Sequence, residues 1–154
     1  MTLVVVGVGN AWRGDDAAGL EVARLVAAAA PRGVRVVRAE GDQAALADLW
    51  AGARAAVVVD AASSGAPPGT VQRFDARAGR LPVRLTRSSS HAFGVAEAVE
   101  LARALGRLPA ALEVVAIEGA CFDHGAGLSP AVAAAVEAVA AQLSARAAGC
   151  APAR

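Results

Sequence analysis

The sequence predicts a single three-layer α/β/α domain: a twisted, mostly parallel sheet with an antiparallel edge strand and helices on both faces. Three features carry that expectation. Short continuous apolar runs alternate with longer segments of helical periodicity, as strands buried under covering helices do. One run alternates apolar and polar residues, the pattern of a strand with one wet face. The 154 residues are enough for one well-buried core and too few for two.

Taken in order, "LVVVGV" (3–8) reads as the first strand. A helix follows over about 15–30, with Leu20, Ala23, Leu25 and Val26 at helical spacing, and "PRG" ends it. "VRVV" (34–37) is the second strand and 43–50 a short helix. "AAVVVD" (55–60) is the third strand, closing on an aspartate. After the loop "SSGAPPGT", the alternating "TVQRF" (70–74) reads as the antiparallel edge. A long helix follows the polar "TRSSSH" and runs to Leu105, with Val95, Ala98, Val99 and Ala102 on one face. "LEVVAIE" (112–118) is the last strand. The closing helix in "LSPAVAAAVEAVAAQLSA" has Ser129 as its N-cap and Pro130 as its first residue. The domain is expected over 1–147, with a flexible tail over 148–154.

Composition narrows the chemistry. The formal net charge is +1 and the 15 basic residues, all arginine, are scattered, unlike the clustered stripe of a nucleic-acid binder. With neither lysine nor tyrosine, a Schiff base, a phosphate-loop lysine and a tyrosine acid are excluded. Cys121 and Cys150 lie far apart, without zinc-type spacing, and suit a reducing compartment. The amino terminus lacks the basic segment of a signal peptide, and charges such as Arg24 and Glu137 interrupt the Ala-rich helices. A cytoplasmic monomer with no membrane or nucleic-acid partner is expected.

The first loop, "GVGNAWRGDDAAG", admits two readings. Gly7 and Gly9 follow a strand and precede a helix, and Glu40 stands where a ribose-binding acid would, as in a dinucleotide site. Against this, Trp12 occupies the place of the third glycine, which should keep the helix away from the sheet. Asp15 and Asp16 also sit at the helix terminus that should attract pyrophosphate. A carboxylate about 4 Å from a phosphate costs on the order of 4 kcal/mol at an effective dielectric of 20. Helix capping explains one aspartate, but two adjacent ones point in different directions. The acidic reading is the stronger.

Open α/β sheets bind ligands beyond the carboxyl ends of their strands, at the point where strand order reverses. Asp60 ends the third strand, and His91 opens the long helix, so both belong near the edge that carries the first loop. Taken singly, each is explained by a cap or by solvent. Together, two carboxylates and an imidazole form a mixed oxygen and nitrogen set suited to zinc, nickel or cobalt. Either Asp15 or Asp16 completes the set, and spacing does not choose between them. A serine hydrolase built on Ser88, Ser89 or Ser90 with His91 is weaker, because no G-x-S-x-G elbow exists and adjacent side chains diverge. His124 offers a second ligand, but a glycine-flanked loop residue reads first as exposed, and Cys121 reads as a small buried hydrophobe.

With these residues in place, the chain resembles the nickel–iron hydrogenase maturation endopeptidases from about residue 3 to 143. The resemblance rests on "GVGNAWRGDDAAG", "VVVDAASSGAPPGTV", "SSSHAFGVAEAVELARALGRLP" and "IEGACFDHGAGLSPAV" in that order. It implies a metal-dependent, aspartic-type endopeptidase in which Asp16, Asp60 and His91 are the catalytic and metal-engaging residues. It further implies that the nickel is already held by the hydrogenase large-subunit precursor, whose short carboxyl-terminal extension is removed; another divalent metal is the alternative. A non-catalytic nickel-sensing or chaperone module is the competing reading. Two departures from the family pattern stand out: Ala17 and Ala18 precede Gly19, and the first ligand is an aspartate where some members have the longer Glu. The resemblance makes Asp15 a cap or loop support, so Asp15→Asn should keep most activity, a cap being worth only ~1 kcal/mol. Asn10 should pin the loop, Trp12 should face the precursor or the core, and the segments 63–70 and 86–90 should wall the cleft.

Overall fold

The computed structural model describes residues 3–29, 31–41, 43, 45–82 and 94–149. Their order is β1 (Leu3–Gly9), a 3-10 turn (Gly14–Ala17), α1 (Ala18–Ala29), β2 (Val34–Glu40), α2 (Leu46–Leu49) and β3 (Ala55–Ala62). These are followed by β4 (Val71–Asp75), α3 (Val95–Ala104), β5 (Ala111–Glu118) and α4 (Pro130–Gly149). The sheet order is β2-β1-β3-β5-β4, parallel except for β4, which pairs antiparallel with β5 at one edge. This is the predicted architecture.

The central strands are apolar on both faces because both are covered. Val57, Val59 and Ala61 of β3 pack with Val22 and Val26 of α1 and with Val132, Val136 and Val139 of α4. Val58 and Ala62 face the other way, into a core with Leu46 of α2 and Val95, Val99 and Ala102 of α3. Asp60 follows the same alternation. It therefore lies on the α2/α3 face, at a position whose neighbours on that strand are core residues.

The chain leaves β1 to form β2 on one side and crosses back to form β3 on the other, so strand order reverses between β1 and β3. β1 pairs with β3 only as far as Gly7↔Val59, whereas β3 continues beside β5 to Ala62↔Glu118. Asp60 is the first β3 residue beyond the end of the β1–β3 ladder, at the switch point where such sheets bind ligands. The second and third strands are longer than predicted because their partners extend them: Gly9↔Glu40 closes the β1–β2 ladder.

The missing glycine at position 12 does not hold the helix off the sheet. Gly19 makes the approach instead: a Cβ there would lie 2.2 Å from the Val59 carbonyl oxygen and 2.5 Å from that of Val8. At Gly9, φ is +154° and a Cβ would fall 1.9 Å from the Asp16 carbonyl oxygen. Glycine at both places lets β1, β3 and the start of α1 close on one another. The predicted helix over 15–30 accordingly begins as a 3-10 turn, since residues 14–17 are committed to contacts outside the helix.

Candidate active site

The loop after β1 is built locally. The side-chain oxygen of Asn10 accepts the Trp12 N–H at 2.9 Å, the Asn10 carbonyl accepts the Arg13 N–H, and Asn10 N–H donates to the Asp16 carbonyl at 3.2 Å. Asn10 thus pins the loop as expected, by an Asx turn. Trp12 is 75 % exposed, which rules out the core role and leaves it as surface. The Trp12 carbonyl accepts the Gly125 N–H at 2.8 Å, tying this loop to the one before α4.

The two aspartates are both buried and do different work. Asp15 is turned toward the 120–129 segment. Its Oδ1 accepts the Ser129 N–H at 2.7 Å; its Oδ2 accepts the Ala120 and Cys121 N–H groups at 2.7 and 3.0 Å and the Ser129 hydroxyl at 2.7 Å. Its own N–H donates to the Cys121 carbonyl at 2.8 Å. Gly119 makes room, since a Cβ there would stand 3.0 Å from the Asp15 Cβ. Burial opposes ionisation of Asp15, but these hydrogen bonds outweigh it and hold its pKa below the ordinary 3.8. Asp15 is a loop support, not a helix cap. Ser129, read as an N-cap, spends its hydroxyl on Asp15.

Asp16 is 2 % exposed, with Oδ2 3.4 Å from Nη1 of Arg13. Asp60 is 6 % exposed, and its Oδ1 accepts the N–H of Ala61 at 2.8 Å. Burial pushes the Asp60 pKa well above 3.8, the negative charge of Asp16 pushes it further, and the Ala61 N–H only partly offsets them. The structure therefore brings Asp16 and Asp60 within electrostatic reach of each other where the β1–β3 ladder ends. Asp60 holds its proton at pH values where an ordinary aspartate has lost it. A neutral carboxyl beside an ionised one can give a proton, and the pair can take up a cation once that proton leaves.

His91, the three serines before it and the 86–90 wall lie outside the described residues. Among the described residues, no group of three His, Cys, Asp or Glu side chains is gathered to hold a metal. His124 is exposed, as expected, while Cys121 is half-buried and contributes its backbone to Asp15. Glu40 is exposed, with the Ala11 N–H at 3.4 Å from its Oε1. One acid escaped the sequence reading altogether. Glu118, at the carboxyl end of β5, is 4 % exposed and accepts hydrogen bonds from Ser64. Its signal was available: like Asp60, it is a carboxylate directly after an apolar strand.

The geometry defines an α/β protein with a buried acid pair at its switch point. Comparison with known proteins says which. The model of the hydrogenase maturation protease family matches residues 21–145, a span that holds Asp60 and His91 and begins just after Asp16. The hydrogenase maturating endopeptidase HybD of E. coli is 25 % identical, with a TM-score of 0.70 over 93 % of this chain and 90 % of that one. An endopeptidase from Escherichia coli is 26 % identical, with a TM-score of 0.78 over 97 % and 94 %. The [NiFe] hydrogenase maturation protease HybD from Thermococcus kodakarensis shares the fold at 23 % identity, with a TM-score of 0.69 over 96 % and 99 %. Among curated protein sequences none matches. The chain belongs to the hydrogenase maturation protease family, and its role is that of an endopeptidase in hydrogenase large-subunit processing. No helix among the described residues is long and apolar enough to cross a membrane.

Proposed function

We propose that this endopeptidase removes the carboxyl-terminal extension of a nickel-loaded large-subunit precursor, and that Asp16, Asp60 and His91 engage the nickel that the precursor carries. The observation that supports this most is the buried, mutually repelling pair Asp16–Asp60 at the strand ends. Two carboxylates that are buried and repel each other are unfavourable alone and favourable around a dication. Carboxylate oxygens with one imidazole nitrogen form a donor set that nickel accepts. Two protein oxygens are too few for a closed metal site but enough to grip an ion already held by other ligands. The nickel therefore belongs to the substrate.

In this reading each residue of the chain has one task. Asp15 locks the 3-10 turn to the 120–129 segment and so sets the direction of Asp16. Arg13 supplies positive charge beside Asp16. Asp60 keeps its proton until the cation arrives and then releases it into a crevice where a leaving amine needs one. The ion would polarise the scissile carbonyl or a water molecule. Incubating the protein with nickel-loaded and nickel-free precursor, and weighing the products by mass spectrometry, tests the proposal. Shortening of the loaded precursor alone is the expected result. Equal cleavage of both would overturn the role given to nickel.

A further inference from the structure

We infer that Glu118 is a positioning residue: it pre-forms residues 63–70 into a rigid wall beside Asp60, against which the precursor's extended segment lies. This rests on the reading that cleavage takes place at the Asp60 end of β3. The Ser64 N–H stands 2.9 and 3.1 Å from the two carboxylate oxygens of Glu118, and the Ser64 hydroxyl donates to Oε1 at 2.6 Å. The main chain of the same residue holds the other end of the loop. The Glu118 carbonyl accepts the Gly69 N–H at 2.8 Å, and the Glu118 N–H donates to the Thr70 carbonyl at 2.9 Å. One residue thus fastens both the entry and the exit of the loop.

The loop interior is stiffened as well. Pro67 and Pro68 restrict it, and the Pro67 carbonyl accepts both the N–H and the hydroxyl of Thr70, at 3.1 and 2.6 Å. Gly69 has φ +84°, and a Cβ there would meet the Ala131 carbonyl in the first turn of α4 at 2.7 Å. Yet residues 63–65, 67 and 68 are exposed. A surface loop needs no buried carboxylate merely to close, and burying one is costly unless its hydrogen bonds are all made. What the arrangement provides is a solvent-facing loop already ordered before a partner arrives, starting three residues after Asp60. An extended peptide docking there is spared the ordering of its wall.

Glu118→Gln loses part of the Ser64 grip, and Ser64→Ala loses the hydroxyl bond while keeping both partners' backbones. With nickel-loaded precursor, Glu118→Gln is expected to raise KM about tenfold, the scale of ordering one loop residue at the moment of binding. Ser64→Ala should raise it by a smaller factor, with kcat within twofold of wild type in both. A merely structural role would lower Tm and kcat and leave KM alone, and that result overturns the inference, as does an unchanged KM in both variants. Should Glu118→Gln fail to fold, Ser64→Ala decides. Failure of the wild type to cut the precursor at all would count against the proposed function, not against Glu118.

Discussion

Asp60→Asn is expected to abolish precursor processing and, above acid pH, to make the protein more stable than the wild type. The two effects share one cause. In the folded protein, burial and the Asp16 charge raise the Asp60 pKa well above the 3.8 of an exposed aspartate. Between those two values the folded state holds a proton that the unfolded state has lost, so wild-type stability falls as pH rises through that window. Asparagine keeps the oxygen that accepts the Ala61 N–H and removes the titration. The melting temperature of Asp60→Asn should therefore exceed that of wild type at neutral pH, by roughly 2–4 °C for each kcal/mol relieved. The gap should close as pH drops below 3.8. Melting curves across pH measure it directly; a lower Tm at neutral pH would show that Asp60 is held by favourable partners. Activity is lost because an amide brings neither the proton nor the charge.

Asp15→Asn should show the opposite signature, a large loss of stability. An amide has one acceptor oxygen. Even with that oxygen turned to the Ala120, Cys121 and Ser129 hydroxyl donors, its NH2 group then faces the Ser129 N–H. A buried unsatisfied N–H costs about 1–3 kcal/mol, and the remaining bonds lose their charge assistance. A loss of about 2–4 kcal/mol is expected, or a Tm lower by roughly 5–15 °C. The sequence-based expectation set that cost at a cap's ~1 kcal/mol, which the hydrogen bonds to the 120–129 segment revise upward; the expectation that Asp15→Asn keeps most activity stands for the folded variant. Because the folded pKa of Asp15 is lowered, its contribution is present above 3.8 and disappears as pH falls through the folded value. Thermal melts of Asp15→Asn against wild type at neutral and acid pH check both statements.

The alternation of apolar runs made the layers and the edge strand legible, and Asp60 was legible as a carboxylate ending such a run. The pair in the first loop was legible as acidic, but its division of labour was not. The donors that claim Asp15 lie 105 to 114 positions away, and a local reading offers it only a cap. The close approach through Gly19 was hidden for a related reason: it depends on the carbonyls of Val8 and Val59, which meet only once the sheet is assembled. Glu118 was overlooked because its partner Ser64 lies 54 positions away, in a loop read as a wall of the cleft with nothing local to show what holds it. His91 entered on resemblance and on the expectation that it opens the long helix; the described helix begins at Val95 behind an extended Gly94, and the contribution of His91 stays with the proposal.

In the proposed function Asp16, beside Asp60, takes part in cleavage, and Asp15 only supports the loop. The intact mass of nickel-loaded precursor after incubation with Asp16→Asn tests it most directly, alongside Asp15→Asn assayed below its melting temperature. Full-length precursor is expected with Asp16→Asn, whose circular dichroism should match that of wild type, and shortened precursor with Asp15→Asn. Shortened precursor with Asp16→Asn, and an intact one with folded Asp15→Asn, would contradict it.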